Sequence, residues 1–483
     1  MSQQRHSTLL AVPDLLSQRN LFLGLPVLAW FLVGVRANVQ NDTWWHLRTG
    51  KLILDTRSIP LIDPYSWVLG AHAPWPNHEW LSQLLFYSLF AASGPAALHL
   101  LIGSLFGIAA AFFFLAMRGR CEVRALILLA LLPWLATASA IRPHAFTLTF
   151  TALTIYALLQ RRFSWLPFIL LAWVQFHGGV CFGGVLLMAA LAAALCTQRS
   201  LLPVLLVAVG LAGASVAINP LGIGIYTHPF TSTAMARALP LIEWAPPSFE
   251  SLLGMLFWIF AAGLCILAMV RWRSLQCWEV AMLVIASVAV FPLAARHVRN
   301  VYLWMPIAGV TATHLLCSSD LREAVRSMKY LIMLVCSAVT AAILAVLSIS
   351  ESATSASWHP VSTEALAVLE ASSGPLFNSY DTGGYLIWFS PNTKVFIDSR
   401  QDPYPIKLLQ QTIKVQLTGD FTQFFSGFGF TKAVVEPHMP LAHALVKSRW
   451  SVAARAPAFL VLVAPETSED RRTDGVILDI TIP

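Results

Sequence analysis

Charged side chains are scarce in this sequence. Aspartate, glutamate, lysine and arginine make up 11% of the 483 residues, whereas hydrophobic residues make up 57%. A soluble chain usually has about a quarter of its residues charged, which keeps its surface in contact with water. The composition therefore excludes an ordinary soluble protein, and the mean hydropathy of +0.68 is typical of a membrane protein.

Several signatures of known chemistry are also missing. The chain has no GxxxxGK[ST] or GxGxxG loop, which argues against cytoplasmic ATP-driven chemistry, and no HExxH, DxD or paired CxxC. Its seven cysteines lie in or beside apolar segments, so we expect neither structural disulfides nor a zinc site. We expect no cofactor; a divalent cation is compatible with the chemistry below, but no motif indicates one. The net charge of +7 comes from short arginine clusters and does not predict a nucleic-acid partner.

Twelve apolar runs make up most of the first 350 residues. Many approach the roughly 20 residues that cross a bilayer as a helix, and backbone groups in hydrocarbon must be paired within their own segment. Residues 1–350 are therefore predicted to form a polytopic α-helical membrane bundle. No small-residue cleavage site accompanies the first run, Leu21–Val35, so we expect it to be retained as a span. The other runs lie near 81–93, 96–117, 125–140, 144–160, 164–176, 180–196, 201–218, 251–270, 278–295, 298–317 and 329–349.

Basic clusters between these runs predict the orientation of the bundle. They are expected to face the cytoplasm, as is the N-terminus, which places the polar loops 36–80 and 219–250 outside. The count then requires about 11 crossing helices. The short run 81–93, followed by Gly94 and Pro95, is the best candidate for a partial or re-entrant segment. The clusters are Arg118/Arg120/Arg124, Arg161/Arg162, Arg271/Arg273 and Arg322/Arg326/Lys329.

From about Glu351 the composition changes, and charged residues return. Short, strand-length apolar pieces bounded by Gly, Pro, Asn or Asp follow the helical stretch VSTEALAVLEAS (361–372). Residues 351–483 are therefore predicted to form a soluble α/β domain outside the cytoplasmic membrane. The strand-like pieces are GPLFNSYDTGGYLIWF (374–389), KVFIDSR (394–400), KAVVEP (432–437) and FLVLVAP (459–465).

The first polar loop, 36–80, contains the richest set of reactive side chains. NDTWWHLRTG (41–50) follows the first apolar run closely and contains Asp42, His46 and Arg48. A carboxylate at the membrane edge can act as a general base when a hydroxyl comes within hydrogen-bond reach. Alternatively, Asp42 caps the helix that TWWHLRTGKLIL forms, with the two tryptophans in the aromatic belt of the membrane. Both interpretations can hold together.

Later in this loop, PNHEWL places His78 and Glu79 at the start of the next apolar run. Glu79 either favours a helix N-terminus or provides a second acid in the site. Asp63, in SIPLIDPYS, is predicted to form a turn. In the second loop, EWAPP adds Glu243 beside a tryptophan. Between two earlier apolar runs, FHGG (176–179) predicts a tight turn with His177 at a helix end.

Two arginine–histidine clusters follow apolar runs. IRPHAF contains Arg142 and His144, and AARHVRN contains Arg296, His297 and Arg299. Ionisable groups at the ends of spans are costly to keep near lipid, so they are functional candidates. Guanidinium groups form planar, charge-assisted hydrogen bonds to phosphate. The clusters therefore predict a phosphate site at the outer surface, with ordinary anionic headgroups as the alternative ligand.

Asp398 and Arg400 follow a predicted strand in KVFIDSR. Ligands often bind at such positions in α/β sheets, which makes both residues candidates for substrate binding. The alternative is a charged loop with an internal Asp–Arg pair.

The motifs DTWWHLRTGKLILDTRSIPLIDPYSW, PNHEWL, IRPHAF, FHGG, EWAPP and FNSYDTGGYLIW…KVFIDSR resemble a large group of bacterial membrane proteins with GT-C architecture. The layout, an acid soon after the first span and an outer C-terminal domain, resembles the GT-C glycosyltransferases, which use polyprenyl-phosphate sugars. Those enzymes often carry an acid pair in the first loop. Here Thr43 follows Asp42, so a second acid must come from elsewhere.

The resemblance implies inverting transfer of a sugar from a polyprenyl-phosphate donor to an acceptor hydroxyl, on the outer face of the bacterial cytoplasmic membrane. The expected partners are the lipid-linked donor, membrane lipids and an acceptor that the sequence does not identify. The candidate residues are Asp42 and Glu79 for catalysis; Arg142, His144, Arg296, His297 and Arg299 for the donor phosphate; and His46, Arg48, His78, Glu243, Asp398 and Arg400 for the substrate.

Two other functions fit parts of this pattern. A transporter or flippase of a lipid-linked or anionic substrate would place its charged residues at mid-membrane, often on broken helices, whereas the charges here map to one face. A non-enzymatic assembly or sensing protein would use the outer domain for binding and would not need Asp42.

Overall fold

The protein is described here from a computed structural model. One predicted apolar run, 329–349, lies outside the described residues. The residues that the structure describes are 18–231, 235, 239, 242–317, 358–371 and 374–465.

The other apolar runs form helices close to their predicted positions. The run 125–140 is divided in two at Leu131, because Pro133 lacks the N–H that would continue the helix. The helices are α1 (Gln18–Val35), α2 (Asn41–Thr56), α3 (Trp80–Ser93), α4 (Pro95–Ala116), α5 (Cys121–Ala130), α6 (Leu132–Thr137), α7 (His144–Leu159), α8 (Leu166–Phe176), α9 (Val180–Thr197), α10 (Leu202–Val216), α11 (Leu252–Val270), α12 (Trp278–Arg296) and α13 (Val301–Cys317).

Within the described residues, five helical segments are long and apolar enough to cross a membrane. They are α4, α9, α11, α12 and the segment Arg199–Val216, which ends with α10. Only 11% of the apolar window of α11 is buried inside the protein, so most of its surface is available to lipid. The helices α1, α7 and α8 are apolar but shorter. The count of about 11 crossings stays a prediction.

Helix α3 corresponds to the run predicted to be a partial segment. Its 14 residues span about 21 Å at 1.5 Å per residue, less than the roughly 30 Å hydrocarbon core. Gly94, with φ of 68°, ends α3, and Pro95 opens α4. These features favour a segment that does not cross by itself.

The first polar loop contains a regular helix, α2, where TWWHLRTGKLIL predicts one. Gln40, not Asp42, is the N-cap residue, and its backbone N–H donates to Thr43 Oγ1 at 3.2 Å. The tryptophans are buried inside the protein, Trp44 at 1% and Trp45 at 5% exposure, so they do not lie in a lipid-facing belt. Asp42 occupies the first turn, where its charge is favourable at the helix N-terminus.

The C-terminal part contains a mixed four-stranded sheet with strand order β1-β2-β4-β3. β1 and β2 are parallel, and the other two pairs are antiparallel. The strands are β1 (Leu376–Asn378), β2 (Lys432–Val435), β3 (Ser451–Arg455) and β4 (Leu460–Val463). The helices are α14 (Thr363–Ala371), α15 (Gly383–Phe389), α16 (Ile406–Thr418), α17 (Thr422–Phe428) and α18 (Pro440–Lys447).

This arrangement confirms the predicted helix near 361–372 and strands in three of the four apolar pieces. GGYLIWF is a helix, α15, and its Trp388 and Phe389 pack against Trp44, with ring centroids 6.4 and 4.6 Å from that of Trp44. KVFIDSR is not a strand of the sheet. Instead Val395 forms an isolated bridge with Ser66 of the first loop.

Helix α15 contacts the beginning of α2 closely. A Cβ added at Gly384 would lie 2.1 Å from the backbone oxygen of Asn41, and one added at Gly383 would lie 2.3 Å from the backbone oxygen of Ile397. No side chain fits at either position unless a backbone moves. Gly384 therefore allows the C-terminal part to pack directly against Asn41, the residue that precedes Asp42, and Gly383 allows close packing within the C-terminal part.

We expect Gly384→Ala to push helix α15 away from the beginning of α2. Because the clash is with backbone atoms, it should lower the free energy of unfolding by about 1–3 kcal/mol. Thermal unfolding in detergent measures this, with Gly70→Ala as the control since nothing lies within 4 Å of a Cβ there. Equal unfolding temperatures for the two variants would contradict the proposed close packing.

Candidate active site

Asp42 lies at the point where three segments of the chain meet. Its Oδ2 is 2.5 Å from Nη2 of Arg142, which lies between α6 and α7. Its Oδ1 accepts hydrogen bonds from the Ser399 hydroxyl and from Nε1–H of Trp45, the latter at 3.2 Å. The carboxylate side chain is 6% exposed. The structure thus gives Asp42 a fixed orientation instead of a capping role.

Arg142 continues this network to the second polar loop. Its Nη1 lies 3.4 Å from Oε2 of Glu243, whose Oε1 is 2.9 Å from Nη1 of Arg299. Arg299 also lies over the Trp244 ring, 4.2 Å from its centroid. Two guanidinium groups from distant segments therefore converge on one carboxylate.

Burial and the neighbouring charges also shift the pKa values of Arg142 and Glu243. Burial opposes the charge on Arg142, yet Asp42 and Glu243 raise the pKa of Arg142 further above its usual range. Burial would raise the pKa of Glu243, but the nearby Arg299 and Arg142 lower it. The network therefore carries permanent charges of both signs at neutral pH.

The predicted phosphate-binding residues do not all join this network. His144 Nε2 is 2.6 Å from the carbonyl oxygen of Ala138, and His297 Nδ1 is 2.8 Å from that of Trp244, so each histidine fixes a neighbouring segment. Arg296 is exposed at the end of α12 and pairs with no carboxylate among the described residues. Of the five residues, the structure joins only Arg142 and Arg299 to Asp42 and Glu243.

Glu79 lies in a separate cluster surrounded by three imidazoles. Its carboxylate oxygens lie 3.8 Å from Nε2 of His46, 3.6 Å from Nε2 of His78 and 3.4 Å from Nε2 of His177. Burial would raise the pKa of Glu79, but hydrogen bonding to His78 and the surrounding histidines lower it far below its usual range. Glu79 is thus a carboxylate at neutral pH and not a proton donor.

Hydrogen bonds assign the tautomers of two of these histidines. The backbone N–H of Gly179 donates to Nδ1 of His177 at 3.0 Å, so neutral His177 carries its proton on Nε2, facing Glu79. Nδ1 of His78 lies 3.0 Å from the carbonyl oxygen of Pro76, which only accepts, so Nδ1 is protonated. Burial opposes the charge on His78, but Glu79 raises its pKa to about 9.

His46 faces this cluster from α2. It is 1% exposed, and its ring centroid lies 3.6 Å from that of Trp45. Burial lowers the pKa of His46 to about 4 even though Glu79 favours the charged form. Arg48, predicted with His46 to bind substrate, is half-buried on the same helix and pairs with no carboxylate in the described part of the chain.

Asp398 and Arg400 form a buried ion cluster with the first loop. Arg400 Nη2 lies 2.7 Å from Oδ2 of Asp398 and 2.6 Å from Oδ1 of Asp63, and the three side chains are 0–1% exposed. The guanidinium also lies 4.6 Å from the centroid of the Trp75 ring. These side chains have no surface left for a substrate, which corrects their predicted role: they attach the C-terminal part to loop 36–80. Asp63 also forms the predicted turn, accepting from the Ser66 N–H at 2.9 Å.

Sequence reasoning missed Ser399 and Asp381. Ser399 lies in a turn between Asp398 and Arg400, and its hydroxyl donates to Asp42 while its two neighbours belong to the ion cluster. Asp381 is exposed, and its Oδ1 accepts from the Asn41 side-chain amide at 2.9 Å. The motif YDTGG shows Asp381 as an acidic residue in the sequence, but the sequence does not show that it lies beside Asn41.

No protein-family model and no curated protein matches the chain. Among solved structures, it is similar to the crystal structure of ArnT from Cupriavidus metallidurans bound to undecaprenyl phosphate. The similarity covers 92% of this chain and 99% of that chain, with 13% sequence identity and a TM-score of 0.47. Values this low do not transfer a function.

We predict that acid destabilises the protein partly through His46. Its pKa is about 4 in the folded chain, against 6.5 for an unperturbed histidine, so between these values the unfolded chain binds a proton that the folded chain excludes. Stability therefore falls as pH decreases through this window, by about 2 kcal/mol at pH 5. Thermal unfolding of His46→Gln should depend less on pH than unfolding of the wild type. An exposed control, His359→Gln, should retain the wild-type slope; a wild-type slope in His46→Gln would contradict the prediction.

Proposed function

We propose that the protein is an inverting glycosyltransferase that moves a sugar from a polyprenyl-phosphate donor to an acceptor hydroxyl. The transfer would take place on the outer face of the cytoplasmic membrane. The protein would cross that membrane several times, with its C-terminal part on the outer side. One observation carries the proposal: Asp42, Arg142, Glu243 and Arg299 converge from four distant segments. A carboxylate next to two convergent guanidinium groups provides a base beside an anion site.

In this mechanism Asp42 accepts the proton of the acceptor hydroxyl while the hydroxyl oxygen attacks the anomeric carbon of the donor sugar. The bond between that carbon and the phosphate oxygen breaks, and the polyprenyl phosphate leaves with the electron pair. Arg142 and Arg299 would stabilise the negative charge that develops on the phosphate. Attack opposite to the leaving group inverts the anomeric centre.

The present position of Glu243 supports the phosphate assignment. Its carboxylate lies 3.4 Å from Arg142 and 2.9 Å from Arg299, so the two guanidinium groups already hold one anion of comparable size. Both side chains are about one quarter exposed, which leaves them accessible from outside the protein. A donor phosphate would bind the same two guanidinium groups and would displace the Glu243 carboxylate from them.

Ser399 and Trp45 would act as positioning residues for Asp42. Both donate to Oδ1, whereas Arg142 contacts Oδ2. One oxygen is thus held by neutral donors and the other by a charged group. In the proposed reaction this fixes the direction from which the acceptor hydroxyl must approach.

Asp42→Asn should reduce transfer by about 100- to 10,000-fold, the usual contribution of a general base. The assay incubates purified protein with radiolabelled polyprenyl-phosphate glucose, mannose or galactose and measures the label that leaves the lipid. Asp55→Asn is the matched control, because Asp55 lies on the same helix, is 54% exposed and pairs with Lys51.

Wild-type transfer by Asp42→Asn would exclude the general-base role. If label never leaves any donor but crosses the membrane in vesicles containing the protein, the protein is a transporter instead. A third result would favour the assembly or sensing alternative: the protein binds a lipid-linked sugar, Asp42→Ala does not change this binding, and label neither leaves the lipid nor crosses the membrane.

Ser399→Ala should lower kcat by about 10- to 150-fold and leave KM unchanged, because a hydrogen bond to a charged group contributes about 1.5–3 kcal/mol. Ser399→Thr keeps the hydroxyl and should restore most of the rate. A merely structural role would reduce the amount of folded protein without separating kcat from KM. The same rate in Ser399→Ala and wild type would show that this hydrogen bond does not position Asp42.

A further inference from the structure

Three potential metal ligands from three distant segments meet beside the Glu79 cluster. They are His78 of the first loop, His228 of the second loop and Asp402 of the C-terminal part, and their ligand atoms all lie within 4.8 Å of one another. The chain spacing contains no metal-binding pattern. Only the folded protein brings these residues together.

The geometry presents the side chains toward a common point. His228 Nε2 lies 3.5 Å from Oδ2 of Asp402, and the ring centroids of His78 and His228 are 4.2 Å apart. Because Nδ1–H of His78 donates to the carbonyl oxygen of Pro76 at 3.0 Å, Nε2 is the nitrogen that can bind a metal, and binding would displace the proton that Nε2 shares with Glu79. A histidine ligand is usually held in this way, with its other ring nitrogen donating to a carbonyl or carboxylate.

The surroundings keep these ligands in place. A Cβ added at Gly178 would lie 2.9 Å from Cδ2 of His78 and 3.8 Å from Nδ1 of His228, so the backbone there packs against the imidazoles. The backbone N–H of Asp402 donates to the Arg400 carbonyl at 2.7 Å, next to the buried ion cluster. The three side chains are 9–19% exposed, which leaves an ion a route of entry.

We propose that His78, His228 and Asp402 bind one divalent transition metal, which we assign as Zn²⁺. Two imidazole nitrogens and one carboxylate oxygen form a donor set that suits this ion. Ligands at about 2.0–2.1 Å in a tetrahedron lie about 3.4 Å apart. Each ligand atom would therefore move inward by less than about 1 Å from the present arrangement.

Three protein ligands leave a fourth position open. Glu79 is the nearest anion, with Oε1 3.6 Å from Nε2 of His78, and a water molecule or a substrate hydroxyl could also occupy the position. The ion would connect the second loop, which also provides Glu243, to the first loop and to the C-terminal part. Metal binding can nevertheless be measured without the proposed sugar transfer.

The test measures bound metal on the purified full chain, with any polyhistidine tag removed. Protein stripped with EDTA is loaded with Zn²⁺ under competition from a chelator of known affinity, and zinc is counted by mass spectrometry. Wild type should bind one Zn²⁺ per chain, and His228→Ala and Asp402→Ala should bind it about 100-fold more weakly or not at all. Co²⁺ in place of Zn²⁺ should give the strong visible absorption of a tetrahedral site.

His359→Ala and Asp420→Ala are the matched controls, because both positions are exposed in the C-terminal part, and both variants should bind zinc like the wild type. Zn²⁺ should raise the thermal unfolding temperature of the wild type but not of His228→Asn, which keeps a polar side chain where alanine disturbs folding. Stripped wild type that binds no zinc, or site variants that bind as much as the controls, would overturn the proposal and leave His228 and Asp402 as a simple ion pair. Either result stands whether or not sugar is transferred.

Discussion

The ion pair between Arg142 and Asp42 determines the rest of the site. Both side chains are largely removed from water, so each charge needs further partners to offset its desolvation. Glu243 and Arg299 extend the pair on one side, and the hydroxyl of Ser399 and the indole of Trp45 complete it on the other. Polar groups that the chain keeps far apart are thereby collected at one location.

The C-terminal part is built into this location. The buried cluster of Arg400, Asp398 and Asp63 joins it to the first loop, and Gly384 allows it to touch the start of α2. This buried cluster resists separation, because removing one partner would leave an unpaired charge in the interior. Its effect here is to place Ser399 against the carboxylate with a defined geometry.

The sequence predicted the apolar helices well, because hydrophobic runs and their breaks at proline and glycine are local properties. Charge clusters on one side of the predicted bundle also identified Asp42, Arg142 and Glu243. Local patterns could not show that Arg400 is buried or that Ser399 faces Asp42, because such contacts depend on how distant segments pack. Histidines such as His177 have an apolar or turn context in the sequence, and only tertiary packing shows that they surround a carboxylate.

The hydrogen bond between Ser399 and Asp42 joins residues separated by 357 positions. Asp42 leaves the ribosome early and Ser399 late, and segments generally fold in that order during synthesis. Early in synthesis, Asp42 therefore has only Trp45 and Arg142 as partners, and the Ser399 hydroxyl joins them only when the last quarter of the polypeptide is being made. An unfinished translation product that ended before Ser399 would lack this hydrogen bond to Asp42.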